Sequence, residues 1–106
     1  MKKEKFEIAI RKARWLPEER REVEGFRFSV GEGEDAIDLF VHRDVTNARN
    51  WSVSEPTTGF GIALPLKART NRKQVIEAAR EYFVGNRLEF LRLGIERGRA
   101  TKGKKS

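Results

Sequence analysis

The sequence predicts a two-layer α+β domain in which a four- to five-stranded antiparallel sheet carries one main helix on one face. Apolar and polar residues alternate with a period of two in several segments as far as Leu64, which is typical of half-buried strands. Beyond Pro65 the apolar spacing changes to that of an amphipathic helix. With 106 residues, the chain has the length of one domain.

The first three strands follow from this alternation. Phe6, Ile8 and Ile10 predict a first strand whose apolar side faces the helix, and the charged segment 14–22 around Pro17 predicts a loop. The next two strands form a hairpin around an acidic, glycine-containing turn at residues 31–35. Their apolar sides carry Phe26, Phe28 and Val30, then Ile37, Leu39 and Val41.

A second hairpin completes the predicted sheet. One strand starts with Trp51 and Val53, the connection runs from Pro56 to Gly59, and the last strand contains Phe60, Ile62 and Leu64. Pro65 ends that strand because proline donates no hydrogen bond to a ladder. The sheet face away from the helix is expected to be open to solvent, with basic side chains and the ring of Phe40 on it.

The main helix is predicted to begin after Asn71, which together with Gln74 fits a capping box. Its core face carries Val75, Ile76, Ala79, Tyr82 and Phe83, and Gly85-Asn86 predicts its end. Residues 87–97 fit either a short second helix or a strand, and the abundance of Leu, Glu and Arg favours the helix. The prediction is a single domain over residues 1–97 and a disordered basic tail over residues 98–106.

Composition excludes several classes of protein. The chain has no cysteine, so disulfides and thiolate metal sites are excluded, and neither a metal nor a cofactor is expected. No apolar run reaches the roughly 18 residues of a membrane span. Glu4 and Glu7 interrupt the N-terminal segment that a secretion signal would need. We therefore expect a cytoplasmic protein that does not bind membranes.

No group of residues predicts catalysis. His42 is the single histidine, and the tripeptide His42-Arg43-Asp44 imitates a kinase motif in a chain far too short for a kinase. The serines lie outside any nucleophile-elbow pattern. Gly59-x-Gly61 lacks the third glycine and the helix of a dinucleotide-binding loop. The sequence therefore predicts a protein without enzymatic activity.

Charge is the feature that points to a partner. The net charge is +7, and residues 67–106 alone carry twelve basic and four acidic side chains. Such a concentration of positive charge favours a polyanion, so we expect DNA or RNA to be held through its phosphates. The expected contacts are basic residues of the C-terminal third and two aromatic side chains that stack on bases: Arg87, Arg92, Arg97, Arg99, Lys102, Lys104, Lys105, Trp15 and Phe40.

A protein–protein interaction module is the alternative. An exposed sheet edge or the acidic turn Glu32–Asp35 would then dock on another protein, and the basic residues would face an acidic protein surface. Phages and plasmids carry small proteins of this size and layout that block or bridge a host protein, although no motif in this sequence supports the resemblance. The two hypotheses differ in their expected salt dependence, which is steep for phosphate contacts.

Overall fold

The computed structural model of the chain describes residues 2–10 and 15–103, with side chains as far as Gly98. Its strands form one five-stranded antiparallel sheet, and two helices follow the sheet in the chain. The predicted α+β class is therefore confirmed. The elements are β1 (Lys3–Ile10), β2 (Glu19–Val30), β3 (Ile37–Arg43), β4 (Trp51–Ser54), β5 (Gly61–Ile62), α1 (Arg72–Tyr82) and α2 (Asn86–Gly103), with a short 3-10 turn at Gly33–Asp35.

The sheet is a meander in which each strand pairs with the next one in the chain, in the order β1-β2-β3-β4-β5. Both predicted hairpins are present, since β2 pairs with β3 and β4 pairs with β5. β2 begins at Glu19, inside the segment predicted to be a loop, because Glu19 and Arg20 pair with Ile10 and Ala9 of β1. Pairing with a neighbouring strand thus extends β2 through a highly charged sequence.

α1 packs on one face of the sheet, as the sequence predicts. The Asn71 side chain accepts a hydrogen bond from the Gln74 backbone N–H at 3.1 Å, which satisfies one of the free N–H groups at the start of the helix. Val75, Ile76, Ala79 and Phe83 are buried against the sheet. Their partners in this core are Phe28, Val30, Leu39, Val41, Val53 and Leu64.

The sheet curls strongly toward its other face. The backbone N–H of Ala9 in β1 donates to the carbonyl of Gly59 at 2.8 Å, so the first strand meets the β4–β5 turn. Arg20 donates from Nη1 to the Thr58 carbonyl, also at 2.8 Å, across the same junction. At Gly25 the curl leaves no room for a side chain, because a Cβ there would lie 2.5 Å from the Val41 carbonyl oxygen. The face opposite α1 is therefore concave and partly enclosed.

The predicted orientation of β1 was wrong. Lys3 pairs with Phe26, and directly paired residues lie on the same face, so Lys3 lies on the α1 side of the sheet. Phe6 and Ile8 lie on the concave face instead, and Ile8 is buried there. Alternation identified the strand correctly but not its inward face, because the curl gives the sheet a second apolar face.

α2 is the second helix that the sequence favours over a strand. It lies against the β2–β3 and β4–β5 turns, where Arg92 donates from Nη2 to the Asp35 carbonyl at 2.7 Å. Gly98 packs so closely on the β4–β5 turn that a Cβ would lie 2.9 Å from atoms of Thr58 and Phe60. The helix runs to Gly103, so residues 98–103 of the predicted tail are helical, whereas Lys104 and the two residues after it lie outside the described part of the chain.

Neither helix of the described chain has the length and apolar character needed to cross a membrane. α2 is the longer of the two, at 18 residues, and it carries charged side chains in most of its turns. This matches the absence of a long apolar run in the sequence.

Candidate nucleic-acid interface

Two loop segments come together where β3 ends and β4 begins. The first, residues 43–51, joins these strands, and the second, residues 67–73, leads from β5 into α1. The Trp51 backbone N–H donates to the Arg69 carbonyl at 2.7 Å, which ties the two segments to each other. We call the basic residues of these segments the cationic patch: Arg43, Arg49, Lys67, Arg69, Arg72 and Lys73.

Two aromatic rings hold arginines of the cationic patch in place. The Arg43 guanidinium lies 4.1 Å from the centroid of the Trp51 ring. The Arg72 guanidinium lies 4.0 Å from the Phe26 centroid and 5.6 Å from that of Trp51. Such cation–π contacts order the arginine side chains before any ligand arrives, so less side-chain entropy is lost on binding.

The cationic patch lacks internal counter-charges. In the part of the chain that the structure describes, none of its six basic residues takes part in an ion pair. Several basic residues elsewhere do form ion pairs, as Lys3 does with Glu24 and Lys5 with Glu22. Asp44 is the only acidic residue of the two segments. The patch is therefore a local excess of positive charge.

Two of the α2 arginines predicted from sequence are engaged within the protein. Arg92 donates to the Glu89 carboxylate at 3.0 Å and lies 3.8 Å from that of Asp35, so it joins α2 to the β2–β3 turn. The Arg87 guanidinium lies 4.6 Å from the centroid of the Tyr82 ring. Arg97 is exposed on the same helix. Arg99 and Lys102 belong to the last turns of α2, and Lys104 and Lys105 lie outside the described residues.

Phe40 does not lie on an open surface, so its predicted role as a stacking platform was wrong. It is 1% exposed. The Phe6 ring stacks on it with 3.7 Å between the centroids, and the Arg27 guanidinium lies 4.8 Å from its centroid. Arg27 is held in turn by Glu4 and Asp38. A base has no access to this ring, because the curled sheet turns the face of Phe40 inward.

Trp15 is the predicted stacking residue that stays accessible. Its side chain is 85% exposed, in the β1–β2 connection. That connection lies at the end of the sheet where β3 ends and β4 begins, beyond Glu19–Glu24 of β2, which pair with β1 but not with β3. The basic neighbours Arg11, Lys12 and Arg14 lie outside the described residues.

His42 is a buried polar residue of the concave face. It is 3% exposed, and its Nδ1 lies 2.9 Å from the Arg43 carbonyl while its Nε2 lies 2.8 Å from Ser54 Oγ. The carbonyl accepts only from an N–H, so Nδ1 carries the proton and Nε2 accepts from the serine hydroxyl. Burial lowers the pKa of His42, against the opposing effects of the Arg43 carbonyl and Asp44. The imidazole is thus neutral at pH 7.

The Ser54–His42 pair lacks the third member of a catalytic triad. The imidazole N–H meets a backbone carbonyl rather than a carboxylate. The neighbouring Asp44 carboxylate accepts from Thr46 Oγ1 at 2.6 Å and from Ser52 Oγ at 2.7 Å instead. Ser54 is itself buried. The arrangement therefore satisfies polar groups inside the curled sheet.

The Asp44 carboxylate predicts a pH dependence of stability. Hydrogen bonds from Thr46 and Ser52 lower its pKa from 3.8 to about 2. Because the folded-state pKa lies below the unfolded one, the stabilisation is complete above pH 4 and is lost as the pH falls toward 2. We expect Asp44→Asn to be less stable than wild type at pH 7 and to show a smaller loss between pH 4 and pH 2.

Urea unfolding followed by circular dichroism at several pH values measures this effect. Asp38→Asn is the matched control, since Asp38 is exposed and pairs only with Arg27 in the described contacts. An equal loss of stability on acidification in wild type and Asp44→Asn would contradict the assignment.

Sequence reasoning missed Arg43, Trp51 and Arg72 as a group. Arg43 and Trp51 are paired residues at the open end of the β3–β4 pair, so their contact follows once that register is known. Phe26 and Arg72 join them through the β2–β3 register and the start of α1. The sequence did contain a signal for this group. An arginine and a tryptophan lie at the two ends of one loop, and a basic segment follows at the start of a helix.

Comparison with known proteins does not identify a function for these features. No protein-family model, no curated protein and no solved structure matches this chain. The cationic patch, in which Arg43 and Arg72 lie on two aromatic rings, is thus the feature from which a function can be inferred.

Proposed function

We propose that this chain is a non-enzymatic nucleic-acid-binding protein that holds phosphates on its cationic patch. The observation that carries the proposal is the presence, on two adjoining loop segments, of six basic residues without an ion pair in the described structure, two of which, Arg43 and Arg72, lie on the Trp51 and Phe26 rings. Four of these residues, from Lys67 to Lys73, belong to the C-terminal third, where the sequence concentrates its positive charge. Guanidinium groups suit this role because their donors match phosphate oxygens.

The arginines over Trp51 and Phe26 favour nucleic acid over a generic anion. A guanidinium plane that lies on an aromatic ring offers its outer side to an unpaired base, and its edge donates to phosphate. Trp15 adds an exposed ring at the same end of the sheet. Arg97, Arg99, Lys102, Lys104 and Lys105 supply a second, sequence-independent contact along the C-terminal segment in this proposal.

The test compares two double variants that remove the same charge. Arg43→Gln/Arg72→Gln removes the two ring-held arginines, whereas Lys3→Gln/Lys5→Gln removes two lysines that pair with Glu24 and Glu22. Binding of fluorescent duplex DNA, single-stranded DNA and single-stranded RNA is measured by anisotropy at several salt concentrations. Loss of two phosphate contacts is expected to reduce the slope of log K against log salt by about 1.4 to 1.8.

The control double variant is expected to keep the wild-type slope. Deletion of residues 99–106 is expected to weaken binding to all three nucleic acids alike, as a contact to phosphates would. The proposal fails if wild type binds none of the three at low salt. It also fails if Arg43→Gln/Arg72→Gln binds with the wild-type affinity and slope.

A further inference from the structure

A pocket opens on the concave face of the sheet, at the end where β3 ends and β4 begins. It has a volume of about 420 Å³, which lies within the range of about 300–1,000 Å³ that is typical of small-molecule sites. Its lining includes Asp44 and Val45 of the segment 43–51, and Arg69 of the cationic patch. The pocket and the cationic patch therefore adjoin, and a ligand held on the patch reaches the pocket without crossing the fold.

Aliphatic side chains form part of the pocket wall. Ile8 and Ile10 contribute from the concave side of β1, and Val45 contributes from the loop after β3. Gly61 is paired with Ser54, so a side chain at position 61 would lie on the same concave face. A Cβ there would meet nothing within 4 Å, so this glycine leaves open space at the pocket. Apolar walls of this kind suit the faces of a flat ring.

Two polar side chains of the pocket offer unused acceptors. Ser52 Oγ donates to Asp44 Oδ2 at 2.7 Å, so the lone pairs of the hydroxyl remain unused among the described contacts. Asp44 Oδ1 accepts from three donors of residues 46 and 47, whereas Oδ2 accepts from Ser52 alone in these contacts. The pKa of Asp44, lowered to about 2, keeps the carboxylate charged at neutral pH. This side of the pocket therefore suits a ligand with N–H donors.

Arg69 supplies the side-chain donors of the pocket. Its Nε donates to the Leu66 carbonyl at 3.3 Å, which leaves its two Nη groups unused among the described contacts. The other side-chain donors of the lining are engaged within the protein. The His42 N–H meets the Arg43 carbonyl, and the Ser54 hydroxyl meets His42 Nε2. The pocket thus combines one cationic group with a wall of acceptors and aliphatic side chains.

We propose that this pocket holds one unpaired base of the strand bound on the cationic patch, and that it prefers a base with an exocyclic amino group. The inference rests on the nucleic-acid binding proposed above. Adenine, cytosine and guanine donate from such a group to Asp44 Oδ2 and Ser52 Oγ, while the aliphatic walls contact the ring faces. Uracil and thymine present carbonyl oxygens in its place, which the carboxylate repels. Arg69 donates to the phosphate of the same nucleotide.

The test uses single-stranded RNA oligonucleotides of about 12 uridines, a length within the range of single-strand sites, in which one central base is varied. That base is adenine, cytosine, uracil or purine, the last of which is adenine without its amino group, and a further oligonucleotide has no base at this position. Affinities are measured by fluorescence anisotropy at low salt. We expect the adenine and cytosine oligonucleotides to bind at least about fivefold more tightly than the others, because only they donate to the carboxylate.

Equal affinities for the adenine and purine oligonucleotides would overturn this inference and leave the cationic patch untouched. Binding of none of the oligonucleotides would overturn the proposed function together with it. Arg43→Gln/Arg72→Gln is expected to weaken binding of every oligonucleotide while the preference for adenine over uracil remains, since neither arginine lines the pocket. Failure of the pocket and failure of the patch are therefore distinguishable.

Variants of the two acceptors locate the preference. Asp44→Asn and Ser52→Ala are each expected to lower the ratio of the adenine affinity to the uracil affinity at least about threefold, because an uncharged or missing acceptor binds the amino group less well. This ratio does not depend on the fraction of folded protein, so the lower stability of Asp44→Asn does not affect it. Ser29→Ala is the matched control, since Ser29 is a sheet serine that does not line the pocket. A wild-type ratio in both pocket variants would contradict the inference.

Gly61→Leu fills the pocket from its open side. The position has no positive φ, and a Cβ there meets nothing within 4 Å, so we expect this variant to fold, which circular dichroism verifies. It is expected to bind the adenine oligonucleotide about as weakly as wild type binds the uracil one, with an unchanged salt slope, because the phosphate contacts remain. A folded Gly61→Leu variant that keeps the wild-type preference for adenine excludes this pocket.

A free nucleotide is the competing occupant of the pocket. Adenosine monophosphate carries the same amino group and one phosphate, but it has no further phosphates for the rest of the cationic patch. In isothermal titration calorimetry we expect it to bind at least about tenfold more weakly than the adenine oligonucleotide. Equal affinities would overturn the inference in favour of a mononucleotide site. Weaker binding of the monophosphate, together with the adenine preference among the oligonucleotides, supports it.

Discussion

Replacement of Gly25 by alanine is expected to lower the free energy of unfolding by about 3 kcal/mol, at the upper end of what overpacking costs. The added Cβ would lie 2.5 Å from the Val41 carbonyl oxygen and 3.1 Å from His42 Cβ. Both neighbours belong to β3, which is held between β2 and β4, so neither moves without disturbing two ladders. The curl of the sheet has to open to make room.

Gly61→Ala is the matched control for Gly25→Ala. Gly61 is also a strand glycine, but a Cβ there would meet nothing within 4 Å. We expect its free energy of unfolding, measured in urea, to stay within about 0.5 kcal/mol of wild type. Should Gly25→Ala and Gly61→Ala unfold at the same urea concentration, the close approach of β2 and β3 at Gly25 is refuted.

Phe40→Ala is expected to cost about 4 kcal/mol of stability, because it leaves a cavity beside Phe6 and removes a fully buried ring. Phe40 is 1% exposed and stacks on Phe6 at a centroid distance of 3.7 Å. Trp15→Ala removes a larger ring that is 85% exposed, so its effect on stability is expected to stay within about 0.5 kcal/mol. Comparison of these two variants distinguishes the stability contribution of a core aromatic ring from that of a surface one.

Phe40→Leu covers the case in which the alanine variant fails to fold. A volume-conserving apolar replacement is expected to cost less than about 1.5 kcal/mol, so this variant remains measurable. Chemical unfolding of the three variants is followed by tryptophan fluorescence for Phe40→Leu and Phe40→Ala and by circular dichroism for Trp15→Ala. A Phe40→Ala variant as stable as wild type would contradict the burial of this ring.

Local sequence signals predicted those elements whose determinants are close together in the chain. The start of α1 depends on Asn71 and Gln74, three residues apart, and its core face repeats every turn. The two hairpins likewise connect consecutive strands through short turns rich in glycine, proline and threonine. In each case the physical cause lies within one element or one turn, so alternation, helical spacing and capping residues were sufficient.

The orientation of β1 depended on interactions that are distant in the chain. Its apolar side chains were assigned to the α1 face because a flat sheet with one helix has one core. The junction of Ala9 with Gly59 bends the sheet and creates a second apolar face for Phe6, Ile8 and Phe40. Nothing local to β1 or β3 encodes that curvature, so the inward face of β1 and the burial of Phe40 were both mispredicted.

The cationic patch could not be predicted from the sequence for a related reason. Positive charge in the C-terminal third was visible from composition, but composition carries no information about which cations have acidic neighbours. Arg92 is compensated by Asp35, far away in sequence, whereas Arg43 and Arg72 meet only aromatic rings and a backbone carbonyl among the described contacts. Pairing across the fold, rather than the number of charges, decides where the field is concentrated.

The meander order of the strands bears on how the chain folds. Every ladder joins consecutive strands, so each pairing step closes only a short stretch of chain and costs little entropy. The contact of Ala9 with Gly59 is different, because it brings together the first strand and the last turn of the sheet. The entropic cost of this contact becomes small only once the intervening hairpins have formed. We therefore expect closure of the curl, together with burial of Phe6 against Phe40, to be a late step in folding.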